Sequence, residues 1–312
     1  MEDRIVVGYD TSGESAAAVR WAASEAARRG WALEVVHVWG FAGQEGGGAG
    51  DSWLGRQVLA QVQEVADEGV ALAREAAPGL DARGTVLHGP PAAVLVERAA
   101  GARAVVLGRH GAGRSAGALI GSVTSGVLHH ALCAVVVVPD EVRAGIGGEP
   151  VVVGFDASPG GFGALEAACD AARVHDAEVV VLTAWTPTSE TTAMSYWALA
   201  YPRQSPGEVA LAEAERVLDR ARSWAASRHD VTVTCDLAEG RAADVLVRRS
   251  RHAGLVVVGT RGRGGFTSLV LGSTSRSVVH RAHCPVLVTR GVRAVEESAV
   301  AHAGAVGGDA GR

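Results

Sequence analysis

A chain of 312 residues is long enough for about two domains, each with a core of its own. Hydrophobic residues make up 48% of it but aromatics only 4%, so the cores must be built from Ala, Val and Leu, the usual material of parallel sheets under small-faced helices. A formal net charge of −5 argues against the concentrated positive field that nucleic acid or an anionic membrane requires, so neither is expected as a partner and phosphate chemistry must come from local geometry.

The start MEDRIVVGYD passes straight into a strand-like run without the basic and apolar stretches of a signal peptide. No apolar run approaches the roughly 20 residues that span a bilayer, so a cytoplasmic location is expected. Cys133, Cys169, Cys235 and Cys284 stand far apart with no C-x-x-C pair, and read as plain reduced thiols.

The first element is Ile5 to Gly8, a short apolar run with β-branched residues that suits a strand covered on both faces. Ser15 to Arg29 follows with apolar residues at Val19, Ala22, Ala23, Ala26 and Ala27, the stripe of a helix packed on a sheet. Further strands are expected at 33–38, 84–87, 104–108 and 134–138, with helices between them. The apolar rhythm then gives way to Pro, Gly and charge over residues 139–150.

Beyond that break the chain repeats itself. RIVVGYDTS at 4–12 returns as PVVVGFDAS at 150–158, placing Gly8 over Gly154 and Asp10 over Asp156, and AVVLGRHG at 104–111 returns as LVVVGTRG at 255–262. The helix stripe recurs at Leu165, Ala168, Cys169 and Ala172, and strands are expected at 178–184, 231–236, 255–259 and 285–289. Five strands and four helices per half define an α/β fold of two doubly wound, five-stranded parallel sheets in tandem. The expected division is a first domain over 1–140, a linker over 141–149, a second domain over 150–291 and a disordered tail over 292–312. Residues 40–52 and 186–208 read as loops after the second strand of each half.

Chemistry concentrates after the fourth strand of each half. The first copy reads Gly108-Arg109-His110-Gly111, nine residues, then Gly121-Ser122-Val123-Thr124; the second reads Gly259-Thr260-Arg261-Gly262, nine residues, then Gly272-Ser273-Thr274-Ser275. The leading glycines are expected to let the chain leave a buried strand in unusual conformations and bring main-chain N–H groups near a ligand. Gly-Ser then opens a helix whose unpaired N–H groups and positive dipole end suit phosphate, with the Ser and Thr hydroxyls as donors or caps. A single copy could be a plain glycine turn; two copies at one spacing argue for a shared ligand.

The pattern G-x-x-G, nine residues, G-S resembles the ATP-binding motif of universal stress proteins, over residues 3–139 and 149–290. The resemblance implies a Rossmann-like strand order 3-2-1-4-5, ATP at the ends of strands 1 and 4, and two modules packed as a pseudo-dimer that can dimerise further. It casts Asp10 and Asp156 as the strand-1 aspartates near ribose and phosphates, helping to hold Mg²⁺, with an Asx turn as their structural alternative. Val38 and Ala184 fall at the strand-2 position whose backbone reads adenine. Arg261 and Arg263, with Arg114 as the nearest first-half analogue, could offset phosphate charge or be solvated.

His110 lies inside a phosphate loop, whereas His129, His130, His280 and His283 lie on or just after the last helices. Adjacent His129 and His130 point about 100° apart on a helix and suit no metal. The expected function is an ATP-binding stress-response regulator, with slow or no hydrolysis and an unidentified protein partner. An ATP-pyrophosphatase or adenylyl-transfer enzyme would want its Gly-Ser loop after strand 1, where DTSGES and DASPGG stand instead; a ligand-free interaction module is the other alternative. The chain contains no lysine, which excludes P-loop and kinase signatures. Finally, the last strands of the two halves are apolar edges and are expected to meet across a pseudo-twofold axis.

Overall fold

The computed structural model describes residues 3–40, 53–113, 120–140, 146–187, 205–226, 231–260 and 271–290. In the first half β1 (Arg4–Gly8) is buried along its whole length. It leads into α1 (Gly13–Arg29), which Ser12 caps and Gly30 ends in the left-handed region at φ 66°. There follow β2 (Ala32–Trp39), α2 (Trp53–Ala76), β3 (Ala82–His88), α3 (Pro91–Arg98), β4 (Ala104–Gly108), α4 (Ser122–His130) and β5 (Ala134–Val138). The second half repeats the order as β6 (Val151–Gly154), α5 (Pro159–His175), β7 (Val179–Trp185), α6 (Pro206–Ala226), β8 (Val233–Glu239), α7 (Ala242–Arg249), β9 (Leu255–Gly259), α8 (Ser273–Arg281) and β10 (Val286–Thr289).

The strands lie in the order β3-β2-β1-β4-β5-β10-β9-β6-β7-β8, so each half has the expected order 3-2-1-4-5. Within a half every pairing is parallel. The two halves join through an antiparallel β5–β10 pair with Leu287 opposite Val136, giving one ten-stranded sheet with the pseudo-twofold axis at this seam. Each edge strand thereby satisfies the other's ladder, which removes two exposed apolar edges at once.

Because strand side chains alternate, the apolar strands feed two core layers. Val136 and Val138 pack with α1, α2, α5 and α6 on one face, while Val135 and Val137 pack with α3, α4, α7 and α8 on the other. Both layers contain residues from both halves, so the core runs through the seam.

Polar contacts reinforce it. On the α1–α5 face the buried Glu25 pairs with Arg29 and with His175 Nε2 at 2.6 Å, while Arg29 reaches Asp170 at 2.6 Å. On the opposite face Arg109 Nη2 donates to the Ala282 carbonyl ending α8 (2.5 Å), and Arg290 Nη2 donates to Leu128 O in the last turn of α4 (2.7 Å). Cations on helix C-terminal carbonyls are favoured by orphan acceptors and dipole alike.

Three details differ from the sequence reading. Residues 206–208 are not loop but the first turn of α6, where Glu208 N donates to Ser205 Oγ (3.2 Å) and Ser205 N to Glu208 Oε2 (2.7 Å), a reciprocal capping box with Pro206 after the Ser. Ile146, in the expected linker, is 1% exposed and belongs to the core. Glu34, inside the apolar β2, is 1% exposed and is held by Arg4 and Arg98. Cys133, Cys169 and Cys284 are buried and Cys235 is half-buried, none of them in a disulfide. Residues 41–52, 188–204 and 292–312, expected as loops and tail, lie outside the described residues.

Candidate functional site

The β1–β2 ladder ends at Gly8–Val36, but β2 runs on to Trp39, and β4 lies on the other side of β1. The chain order reverses between β1 and β4, a switch point of the kind beyond whose carboxyl ends doubly wound sheets commonly take ligands. Val38 stands two residues beyond the last β1 register pair, with Leu87 of β3 on its other side; Ala184 stands likewise beyond Gly154–Leu182, opposite Ala238. Both expected adenine-reading positions thus stand at the same place relative to the switch point of their half.

At the end of β1 the backbone turns through Thr11 at φ 68°, and at the end of β6 through Ala157 at φ 59°. Side chains with a Cβ rarely adopt this region, at a cost of about 1–3 kcal/mol, and its recurrence at the same repeat position marks a turn the fold over-determines. Asp10 Oδ1 accepts from Ser12 N (3.1 Å) and Ser12 Oγ (2.6 Å); Asp156 Oδ1 accepts from Ser158 N (3.0 Å) and Ser158 Oγ (2.5 Å). Ser12 and Ser158 in turn cap α1 and α5. The Asx-turn role is therefore real in both halves, and in the first it is not the whole of it. Asp10 Oδ2 also accepts from Ala112 N at 2.8 Å, tying the β1 turn to the loop after β4. Burial opposes ionisation of Asp10, but the hydrogen bonds from Ser12, Ala112 and Ser15 outweigh it and hold the carboxyl below the usual aspartate range.

The loop glycines serve close packing rather than unusual dihedrals, which corrects the expectation drawn from sequence. Gly108 and Gly259 are not among the left-handed glycines. A Cβ on Gly108 would lie 2.9 Å from the Glu14 backbone carbon, and one on Gly259 2.7 Å from Gly160 O, so each lets the first turn of α1 or α5 press onto a strand end. A Cβ on Gly111 would lie 2.3 Å from Asp10 Oδ2. At Gly8 the nearest atom would be the Leu107 side chain at 2.7 Å, and at Gly154 the Leu246 side chain at 3.0 Å.

Gly121 and Gly272 are the N-caps of α4 and α8, and neither helix has a side-chain cap. Gly121 N donates to Arg109 O (2.9 Å) and Gly272 N to Thr260 O (2.8 Å), pinning each helix start against the strand exit. The first-turn amides of Ser122, Val123 and Thr124, and of Ser273, Thr274 and Ser275, thus have no cap of their own, as an anion site at a helix N-terminus requires. Ser122 and Ser273 are exposed. The Thr124 and Ser275 hydroxyls are neither caps nor phosphate donors here: they donate to Gly108 O (2.8 Å) and Gly259 O (2.6 Å), stapling helix to strand. Arg261, Gly262, Arg263 and Arg114 lie outside the described residues.

One residue that holds the loop after β4 escaped the sequence reading. Glu14, 7% exposed in the first turn of α1, accepts from the main-chain N–H of His110 through Oε2, and its Oε1 lies 3.0 Å from His110 Nδ1. No spacing rule announces such a contact, because the two residues meet only through the sheet. Among the described residues no group of three potential metal-ligating side chains exists, and no helix is long and apolar enough to cross a membrane.

These features define a class: tandem doubly wound α/β modules, each with a topological switch point and, after its fourth strand, a helix start without a side-chain cap. The chain belongs to the universal stress protein family, whose model matches it twice, over residues 1–139 and 148–290. It is similar to the Mycobacterium tuberculosis universal stress proteins Rv2005c, 36% identical over 303 residues covering 92% of this chain and 96% of that one, and Rv1996, 36% identical over 311 residues covering 92% and 94%. Among solved structures, that of a universal stress protein from Archaeoglobus fulgidus DSM 4304 covers 93% of this chain and 97% of its own at 20% identity, with a TM-score of 0.65, a likeness of fold.

Proposed function

We propose that each half binds one adenine nucleotide, with ATP as the principal ligand, and that the protein is a nucleotide-gated regulator in the stress response rather than a turnover enzyme. The observation that carries this reading is the pair of uncapped helix starts, Gly121 and Gly272, each pinned by its backbone to the exit of a strand that flanks a switch point. Adenine would lie against the β2 edge at Val38 and the β7 edge at Ala184. Ribose and phosphates would run past Asp10 or Asp156 toward the Gly108–Gly111 or Gly259–Gly262 loop, with Arg261 and Arg263 offsetting charge in the second half.

Mg²⁺ fits such a site as a companion of the phosphates. It commonly keeps several waters and takes one or two carboxylates, and Asp10 or Asp156 can supply one. Hydrolysis is expected to be slow or absent: Asp10 is engaged by Ser12 and Ala112 and Glu14 by His110, which leaves neither placed as a general base for water. Nucleotide occupancy then stabilises the tandem fold by mass action or alters a partner surface. Mass spectrometry of small molecules released from gently purified protein tests the reading. Retained ATP or ADP supports it, and protein that carries no nucleotide and takes none up at millimolar ATP overturns it.

A further inference from the structure

The two halves differ in sequence at their loops. In the first, the amides that would cradle an anion already hold carboxylates: His110 N donates to Glu14 Oε2 and Ala112 N to Asp10 Oδ2 at 2.8 Å. Asp10 has a counterpart in Asp156, whereas Glu14 has none, because Gly160 stands at its position in the repeat. His110, the residue paired to Glu14, is replaced at the matching position by Arg261. The first half therefore has a buried acid and an imidazole at positions where the sequence of the second has Gly160 and Arg261.

From this we infer that Glu14 is an affinity-setting residue that makes the first nucleotide site the weaker of the two, its carboxylate occupying the loop amide that a phosphate would otherwise take. This rests on the nucleotide reading above. A phosphate entering the first site must displace Glu14 from His110 N or lie beside it, and like charges a few ångströms apart in a partly buried site repel strongly. Arg109, the loop arginine described on this side, donates its Nη2 to Ala282 O across the seam, and its charge already acts on Glu14. Glu14 sits in the first turn of α1, where the helix dipole favours an anion, so the carboxylate is stabilised in place.

The inequality sets an order of filling. At low ATP only the second half is occupied; at higher ATP the first fills and α1 is released from the loop it holds.

The test is an ATP–Mg²⁺ calorimetric titration of the full chain as wild type, Glu14→Gln and Glu14→Gly, each repeated in a Gly272→Ala background that leaves the first site as the one read. The wild type is expected to show two classes of site about tenfold or more apart, a gap of about 1.4 kcal/mol. Glu14→Gln should tighten the weaker class several-fold by removing charge while keeping an acceptor, and Glu14→Gly should bring it near the stronger. Amide hydrogen exchange across residues 108–113 of unliganded protein should quicken in Glu14→Gly, showing that the loop is held by this carboxylate. Two equal sites in wild type, or Glu14 variants with unchanged or weaker first-site binding, overturn this inference alone. No heat of binding in any variant overturns the nucleotide reading and this inference together.

Discussion

Replacing Glu34 with Gln should cost more stability than its neutral size change suggests. Glu34 is 1% exposed, and its Oε1 accepts from Arg98 Nε (2.8 Å), Arg98 Nη2 (2.5 Å) and Thr85 Oγ1 (2.7 Å), while Oε2 pairs with Arg4. The amide can accept some of these bonds, yet it removes the carboxylate charge that faces the guanidinium of Arg4, itself 8% exposed. Removing one partner of a buried ion pair typically costs about 3–5 kcal/mol. At about 2–4 °C per kcal/mol for a domain somewhat larger than each half, the melting temperature should fall by roughly 6–20 °C. Arg83 is the control: its side chain is 59% exposed and 3.7 Å from Glu34, so Arg83→Ala should cost at most about 1 kcal/mol.

The pH dependence follows from the same contacts. Burial alone would raise the Glu34 carboxyl, but Arg98, Thr85 and Arg4 hold it below the ordinary glutamate range. The folded state thus binds this proton less tightly than the unfolded chain. The stabilisation is present above the ordinary glutamate pKa of about 4.3 and is lost as pH falls through the lowered value. Calorimetric melts of wild type and Glu34→Gln between pH 7 and 3 should converge toward acid. A loss under 1 kcal/mol at pH 7, or a gap that widens on acidification, would refute the argument.

Val136→Pro should remove a ladder donor at the centre of β5, cost about 3 kcal/mol or more, and weaken association of separately expressed halves, read by analytical ultracentrifugation. His175→Ala should cost about 1–3 kcal/mol, because Glu25 loses a 2.6 Å contact in a buried site yet keeps Arg29. Glu25 is held below the glutamate range by His175 and Arg29 against the effect of burial, so its share of stability also fades as pH drops below about 4.3. Gly108→Ala, whose Cβ would lie 2.9 Å from α1 backbone, should lower the melting temperature by an amount equivalent to about 1–3 kcal/mol. Gly121→Ala, with nearest contacts of 3.4–3.7 Å and φ −62°, should cost less than about 1 kcal/mol.

The sheet was legible because apolar β-branched runs and a doubled V-G-x-D pattern survive any local noise, and the meeting of β5 with β10 followed from the need to cover two apolar edges. The helix start at Ser205 was legible in principle. S-P-G-E carries both the capping-box spacing and Pro after the cap, but the long polar stretch before it hid the signal. Glu34 and Glu14 could not be read that way. Their partners lie 64 and 96 residues distant in sequence, at Arg98 and His110, and only the folded sheet brings them within reach. The glycines were correctly singled out for the wrong reason: Gly108 and Gly259 are small because a helix presses on them, a tertiary demand with no local signature.

The central claim is one nucleotide site per half, built on the starts of α4 and α8. Equilibrium titration of ATP in the presence of Mg²⁺ tests it most directly, on wild type, Gly121→Ala and Gly272→Ala, with melting curves to show that each variant is folded. The account predicts two nucleotides per chain for the wild type and one for each folded variant. A wild-type stoichiometry of one, unchanged by either substitution, would contradict it.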